Sequence, residues 1–270
     1  MELSASNVLI VILFLLATYK NLPFVWFFRF FRTLITRLYI APAHQKLTPA
    51  CLFLPAIHRT RSPLTECDHN MHKSNSTYFT DLDISRGSLV LLLFVQRLSF
   101  RPTPKTATII LGGVQIVFRK EILPYQGYEV WSRVLSWDEK WVYIVSHFVR
   151  RGAVRHRGYL LQGRGGIGGQ SILSNNGAGG KTGKEAMVFA SAVSRYVFKQ
   201  GRRTVPPEQM LFECGLLPKE NHGEEWEGIE ARRKRDLEAA QLKTGWDAVH
   251  ACFDADEGAA LGRYTDLLWR

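Results

Sequence analysis

Residues Glu66 to Tyr78 read Glu-Cys-Asp-His-Asn-Met-His-Lys-Ser-Asn-Ser-Thr-Tyr. They bring two carboxylates (Glu66, Asp68), an imidazole (His72), an amide (Asn75) and a phenol (Tyr78) together just before an apolar helical pattern. A carboxylate is ionised at neutral pH, so it can act as a nucleophile or as a base towards water without a Ser-His-Asp relay. A helix start also offers unpaired backbone amides, which suit a developing negative charge. The same residues admit plainer roles. Asp68 can cap the turn ahead of the helix, and His72 can be a solvated loop residue. Asp81 and Asp83, farther along the helix, are alternative carboxylates, with Arg86 an i+3 partner for Asp83. Cys67 alternates with its acidic neighbours and so faces the other side of a strand, as a small buried hydrophobe.

The spacing resembles the signature of hotdog-fold thioesterases of the 4-hydroxybenzoyl-CoA type, Asp-x-Asp-x-x-Gly-His-x-Asn-Asn-x-x-Tyr. Glu66, Asp68, His72, Ser74, Asn75 and Tyr78 fall in register with it. Met71 stands at the Gly position, where glycine adopts positive φ cheaply, and Ser74 replaces the first Asn. Val130 to Val149, with Trp137-Asp138 and Phe148-Val149, and Arg202-Arg203-Thr204-Val205-Pro206-Pro207-Glu208 are similar to membrane-anchored thioesterase-like proteins of animals and fungi.

The resemblance implies an α+β hotdog fold, a curved antiparallel sheet wrapped around a long central helix. It also implies a homodimer paired across a sheet edge, and hydrolysis of an acyl-CoA or acyl-carrier-protein thioester with a fatty acyl or polyketide acyl group. Asp68 would attack the acyl carbon or activate water, and backbone amides of about His72 to Asn75 would meet the oxyanion. Asn75 and Tyr78 would orient the acyl group or the water, and His72 is the remaining catalytic candidate. Arg119, Lys120 and Arg150, flanking expected strands, are candidate contacts for the phosphates of coenzyme A or phosphopantetheine, which arrive as part of the substrate. Exposed charges at strand ends need no ligand, so both readings of these three stay open. A non-catalytic lipid-binding or scaffolding protein at a membrane is the competing function. A dehydratase or hydratase on the same fold lacks its long sequence pattern here.

The elements that must position these residues follow from periodicity. A strand is expected at Ser62–Cys67, the central helix at Ser76–Gln96, and strands at 107–119, 128–135, 141–149 and 186–199. Ahead of them, Val8–Tyr19 is almost wholly apolar and, counted on to Phe28 with Lys20 as an interior charge, reaches the roughly 20 residues a membrane span requires. Arg29, Arg32 and Arg37 follow it, so a single-pass anchor with the domain facing the cytosol is expected, the endoplasmic reticulum being one fitting membrane. A helix lying in the membrane interface is the alternative. Removing residues 1–41 is expected to free the remainder.

The expected organisation is an anchor with its basic flank at 1–41, a linker at 42–61, a hotdog domain at 62–210 and a helical extension at 211–270. The domain carries a Gly-rich insertion at 151–184. The Gly-x-Gly-x-x-Gly match at Gly163–Gly168 opens no helical pattern in the sequence and reads as part of that insertion. With 46% hydrophobic residues among 270, the chain can bury a substantial core. Its 35 Lys and Arg exceed 24 Asp and Glu, which suits an anionic surface or cofactor phosphates. No motif for nucleic acid accompanies that charge. Cys51, Cys67, Cys214 and Cys252 form no Cys-x-x-Cys pair, so neither a metal nor a disulfide framework is expected and a reducing compartment fits.

Overall fold

The structure, a computed structural model, describes residues 4–36, 47–98, 106–154, 158–161, 187–220, 222–253 and 259–266. Two N-terminal helices, α1 (Ala5–Ala17) and α2 (Val25–Ile35), precede strand β1 (Ala56–Arg61) and the central helix α3 (Tyr78–Phe94). Strands β2 (Thr108–Phe118), β3 (Gly127–Trp137) and β4 (Val142–Arg150) follow, then the short β5 (Gly158–Tyr159), β6 (Val188–Gln200) and β7 (Arg203–Val205). The chain continues through helices α4 (Pro207–Glu213), α5 (Glu224–Ala240) and α6 (Gly245–Ala251) to strands β8 (Ala259–Ala260) and β9 (Gly262–Thr265). The main sheet runs β2-β6-β4-β3-β1-β9, with β7 added to β6, and is antiparallel apart from the β1–β9 pair.

Every residue of β3 after Gly127 is buried, because the period-two alternation sends side chains to two covered faces rather than to core and solvent. On one face Val134, Trp137, Ile144 and Phe198 meet Leu89, Leu92, Leu93 and Phe94 of α3. Towards the start of α3, Tyr78 and Leu82 meet Tyr128, Val130 and Phe148. On the other face Leu135, Tyr143, Val145 and Val193 pack under Ala240 of α5 and Val249 of α6. Each such side chain contributes roughly 1.5–3 kcal/mol of burial free energy.

The central helix and the four longest strands lie within two residues of their expected limits. Strand one does not. It occupies 56–61, inside the expected linker, because Pro63 lacks the N–H needed to extend a ladder and Leu64–Glu66 turns as a 3-10 helix. The C-terminal extension is not only helical: β9 lies parallel to β1, with Ala56 opposite Gly262. Apart from 151–154 and 158–161, the Gly-rich insertion lies outside the described residues.

The expected transmembrane anchor is overturned. Among the described residues no helix is long and apolar enough to cross a membrane. At 13 residues α1 is about 20 Å long, against a hydrocarbon core of about 30 Å. The apolar run is broken by a 3-10 turn at Tyr19–Asn21, by Pro23 and by Phe24 at φ 65°. The single-pass topology with a cytosol-facing domain falls with it.

Lys20 and Arg29, read as an awkward charge and a basic flank, are instead buried in protein. The Lys20 Nζ lies 2.9 Å from Asp81 Oδ1 and 3.2 Å from Glu66 Oε1, and donates to the Arg61 carbonyl at 3.0 Å. Arg29 reaches Asp81 at 2.6 Å and grips Asp266 through Nε and Nη2, both at 2.8 Å. Lys73 completes the cluster, 2.5 Å from Glu66 and 3.1 Å from Asp81. Three cations thus face three carboxylates, all of them buried. Burial would raise the Asp81 pKa, but Lys20, Lys73, Arg29 and the Tyr128 hydroxyl together hold it well below the usual range. Asp266, opposed by burial and favoured mainly by Arg29, is lowered to about 2.

Two outcomes follow for stability. Arg29→Met leaves Asp81 and Asp266 buried and under-compensated, so denaturant unfolding should show a loss of about 3–5 kcal/mol. Deleting residues 1–41 removes Lys20 as well and should yield misfolded protein, whereas an exposed basic flank would lose next to nothing. The second outcome concerns pH. Burial lowers the pKa of His58 to about 4 and also holds His147 well below its ordinary value. The unfolded chain therefore takes up protons near pH 6.5 that the native state refuses, and stability falls as pH drops. Between pH 6.5 and 5 His58 alone should cost about 1.6 kcal/mol, and His147 acts in the same direction. His58→Gln should remove its share of that slope, and a stability constant over this interval would contradict it.

Candidate active site

The turn that ends β1 leads into a tight loop closed by a bridge between Cys67 and Lys73. Within it the Asp68 amide donates to the His72 carbonyl and the Met71 amide to the Asp68 carbonyl, both at 3.0 Å. Met71 takes φ 59°, the left-handed conformation at the position where the signature has glycine. Its side chain is 56% exposed, so the cost is confined to the backbone, about 1–2 kcal/mol. Below the loop the Ser74 amide donates to the Glu66 carbonyl and the Lys73 amide to Ile122, both at 2.8 Å.

Asp68 is partly exposed, and its Oδ1 accepts the Asn70 amide at 2.9 Å. It therefore caps its own turn rather than the helix. His72 sits beside it, with Nδ1 3.7 Å from the same Oδ1 and Nε2 3.9 Å from Glu121 Oε2. These separations exceed hydrogen-bond length and are electrostatic contacts. Asn75 is exposed at the 3-10 turn Asn75–Thr77 that opens into α3. Tyr78 is buried, its ring 4.9 Å from those of Phe118 and Phe148 and 5.4 Å from the Lys73 ammonium. Burial pushes its phenol pKa well up, so it remains protonated. Of the amides from His72 to Asn75, those of Lys73 and Ser74 are spent on the loop's own hydrogen bonds. The free amides of a first turn are those at its start, Asn75 and Ser76.

The strand register carries Arg119, Lys120 and Arg150 to the same end of the sheet as this loop. Arg61 lies opposite Gly127, Tyr128 opposite Arg150, Phe148 opposite Ala190, and Ala190 opposite Phe118. The Arg119 guanidinium reaches Asp247 of α6 at 3.1 Å. Lys120 and Arg150 are exposed. Of the alternative carboxylates, Asp81 is fully engaged and buried, and Asp83 forms the expected ion pair with Arg86, which also donates to Ser194 Oγ at 3.0 Å. Sequence reasoning missed Glu121, Lys73 and Lys20. Only Lys20 left a signal, as the single charge inside an apolar run. Among the described residues no cluster of His, Cys, Asp or Glu side chains could hold a metal ion.

The model of the thioesterase-like superfamily matches residues 62–211. The protein named "Probable thioesterase atnL" of Emericella nidulans is 36% identical, with 95% of this chain and 91% of that protein aligned. Thioesterase poxG of Penicillium oxalicum is 37% identical over 92% of this chain and 88% of its own. A 1,4-dihydroxy-2-naphthoyl-CoA thioesterase from Synechocystis aligns structurally at 10% identity with a TM-score of 0.39, over 62% of this chain and 98% of its own. With a family match over more than half of its residues and relatives of this extent, the chain belongs to the thioesterase-like superfamily.

Proposed function

We propose that the protein hydrolyses an acyl thioester carried on coenzyme A or on an acyl carrier protein, with Asp68 as the reacting carboxylate. The observation that carries this reading is the setting of Asp68: partly exposed, held by Oδ1 in its own turn beside His72, and next to the start of α3. The thioesterase names of the relatives support the reaction class. With Oδ1 engaged, Oδ2 either attacks the acyl carbon, forming an acyl-aspartyl anhydride that a water then cleaves to the free acid and the Asp68 carboxylate, or takes a proton from the water that attacks. In both routes the electron pair of the C–S bond leaves with sulfur, and a proton from water converts the thiolate to the thiol. The Asn75 and Ser76 amides face the oxyanion, Asn75 orients the acyl group or water, and buried Tyr78 forms the floor. His72 tunes the charge around Asp68. Lys120 and Arg150, with Arg119 if it leaves Asp247, meet the phosphates of the carrier.

Asn can keep the turn, since its side-chain oxygen accepts the same amide. Asp68→Asn should therefore lower kcat for thiol release from a panel of acyl-CoA thioesters by at least ~100-fold, with an unchanged melting temperature. Wild-type turnover in that variant would remove Asp68 from the mechanism. A second reading, a lipid-binding protein on the same fold, is favoured by one observation. Val8 to Leu15 of α1, and Phe24, Phe27, Phe28 and Phe31 at the start and along one face of α2, are all exposed, a larger apolar surface than catalysis requires. Absence of turnover on both CoA and carrier-protein thioesters would favour it.

The homodimer is proposed to form across β2. This strand of 11 residues is an edge of the sheet, with Ile110 and Leu111 47% and 40% exposed, and unpaired strand edges invite pairing with a second copy. Sedimentation should give a dimer for the wild type and a monomer for Ile110→Lys/Leu111→Lys. A monomeric wild type at micromolar concentration would rule the edge pairing out.

A further inference from the structure

We infer that Lys20, from the N-terminal segment, is a positioning residue for the reaction, fixing the Asp68 loop against the first turn of α3. This rests on the reading of Asp68 given above. The loop 67–73 is bounded by Glu66 on one side and Lys73 on the other, and the two side chains pair with each other. Asp81 stands one turn into α3, beyond the proposed oxyanion amides. Lys20 Nζ bridges these two halves, 3.2 Å from Glu66 and 2.9 Å from Asp81. It also donates to the Arg61 carbonyl at the end of β1 at 3.0 Å. One ammonium thus holds the strand end, the base of the loop and the helix start at a fixed spacing. Its neighbour Asn21 adds a second tie, donating through Nδ2 to the Thr65 carbonyl at 2.8 Å.

Lys73 also joins Glu66 to Asp81, at 2.5 and 3.1 Å, but it is part of the loop that is being placed. Lys20 enters from a separate segment and adds the Arg61 carbonyl at the strand end, so it ties the loop to structure outside it. That segment is held at further points: Arg29 binds Asp81 and Asp266, and the Phe30 ring approaches α3 at Gly87, 3.5 Å from where a Cβ would stand. A carboxylate displaced by about 1 Å from its productive position loses on the order of 100-fold in rate, and nothing in Lys20 itself touches the proposed reacting atoms.

The test uses the full chain with Lys20→Met and Lys20→Arg. Lys20→Met should raise amide hydrogen exchange at Cys67–Lys73 by ten-fold or more while β3 and β4 exchange as in the wild type. It should also lower kcat at least ten-fold with KM within about three-fold, and Lys20→Arg should restore much of kcat. Wild-type exchange in the loop of a folded Lys20→Met protein would overturn the inference, as would a change confined to KM. If Lys20→Met does not fold, the charge-balanced Lys20→Met/Glu66→Gln is measured instead, and wild-type kcat there overturns it equally. The exchange readout does not depend on Asp68 chemistry. A loose loop in Lys20→Met together with full activity in Asp68→Asn would therefore reject the catalytic assignment while keeping the positional role.

Discussion

Asp81 is buried in the first turn of α3 and ionised, and the arrangement of the chain around it follows from the need to keep it so. An isolated carboxylate in such a place would cost several kcal/mol in lost hydration. Here Lys20, Lys73, Arg29 and the Tyr128 hydroxyl compensate it, and Glu66 and Asp266 in turn balance the three cations. These residues come from the N-terminal segment, the Asp68 loop, the central helix, β3 and the chain beyond β9. A cluster of this kind contributes little net stability compared with an apolar replacement, yet removing any one member is expensive. It therefore acts chiefly to dictate which segments meet, and it makes residues near both ends of the described chain part of one folded unit with the thioesterase-like domain.

The sheet supplies the rigid frame to which that cluster is attached. Because β3 and β4 are covered by α3 on one face and by α5 and α6 on the other, their positions are set by packing on two sides. The β2 edge is left partly open, with Ile110 and Leu111 exposed. A polar line runs through this packing, from Ser85 on α3 to Ser132 at 2.8 Å and on to Ser146 at 2.7 Å. It separates the two apolar clusters under the helix and satisfies its own hydrogen-bonding groups, as buried hydroxyls must. The strand ends Arg61, Gly127, Arg150 and Phe118 gather at the end of the sheet where α3 begins. The loop carrying Asp68 is thus mounted on well-packed structure, while its own tip, with Met71 and Asp68, stays open to solvent.

That division suits the proposed hydrolysis of a carried thioester. In that reading Asp68 would need access, and the elements that aim it would need the opposite. Tyr78 illustrates the second requirement. The signature placed it among the functional residues, and its ring proves to be a core element between Phe118 and Phe148, where it fixes the first turn of the helix. Met71 illustrates the first, since a left-handed residue with an unbranched, solvent-facing side chain allows the tight loop without glycine.

Much of the architecture was legible in the sequence because it depends on local periodicity. The helical spacing after Ser76 and the apolar runs from residue 107 to 199 define α3 and four strands, and the spacing from Glu66 to Tyr78 locates the loop that carries the candidates Asp68 and His72. What the sequence could not decide were matters of long-range pairing. An apolar run interrupted by Lys20 reads as a membrane span when no partner for the charge is in view, and the partners lie 46 and 61 positions away. The parallel strand β9 and the early start of β1 were hidden for the same reason, since each is defined by a distant ladder rather than by its own residues. Periodicity reports which face of an element is apolar. Only the tertiary structure determines what that face, or a lone buried charge, is set against.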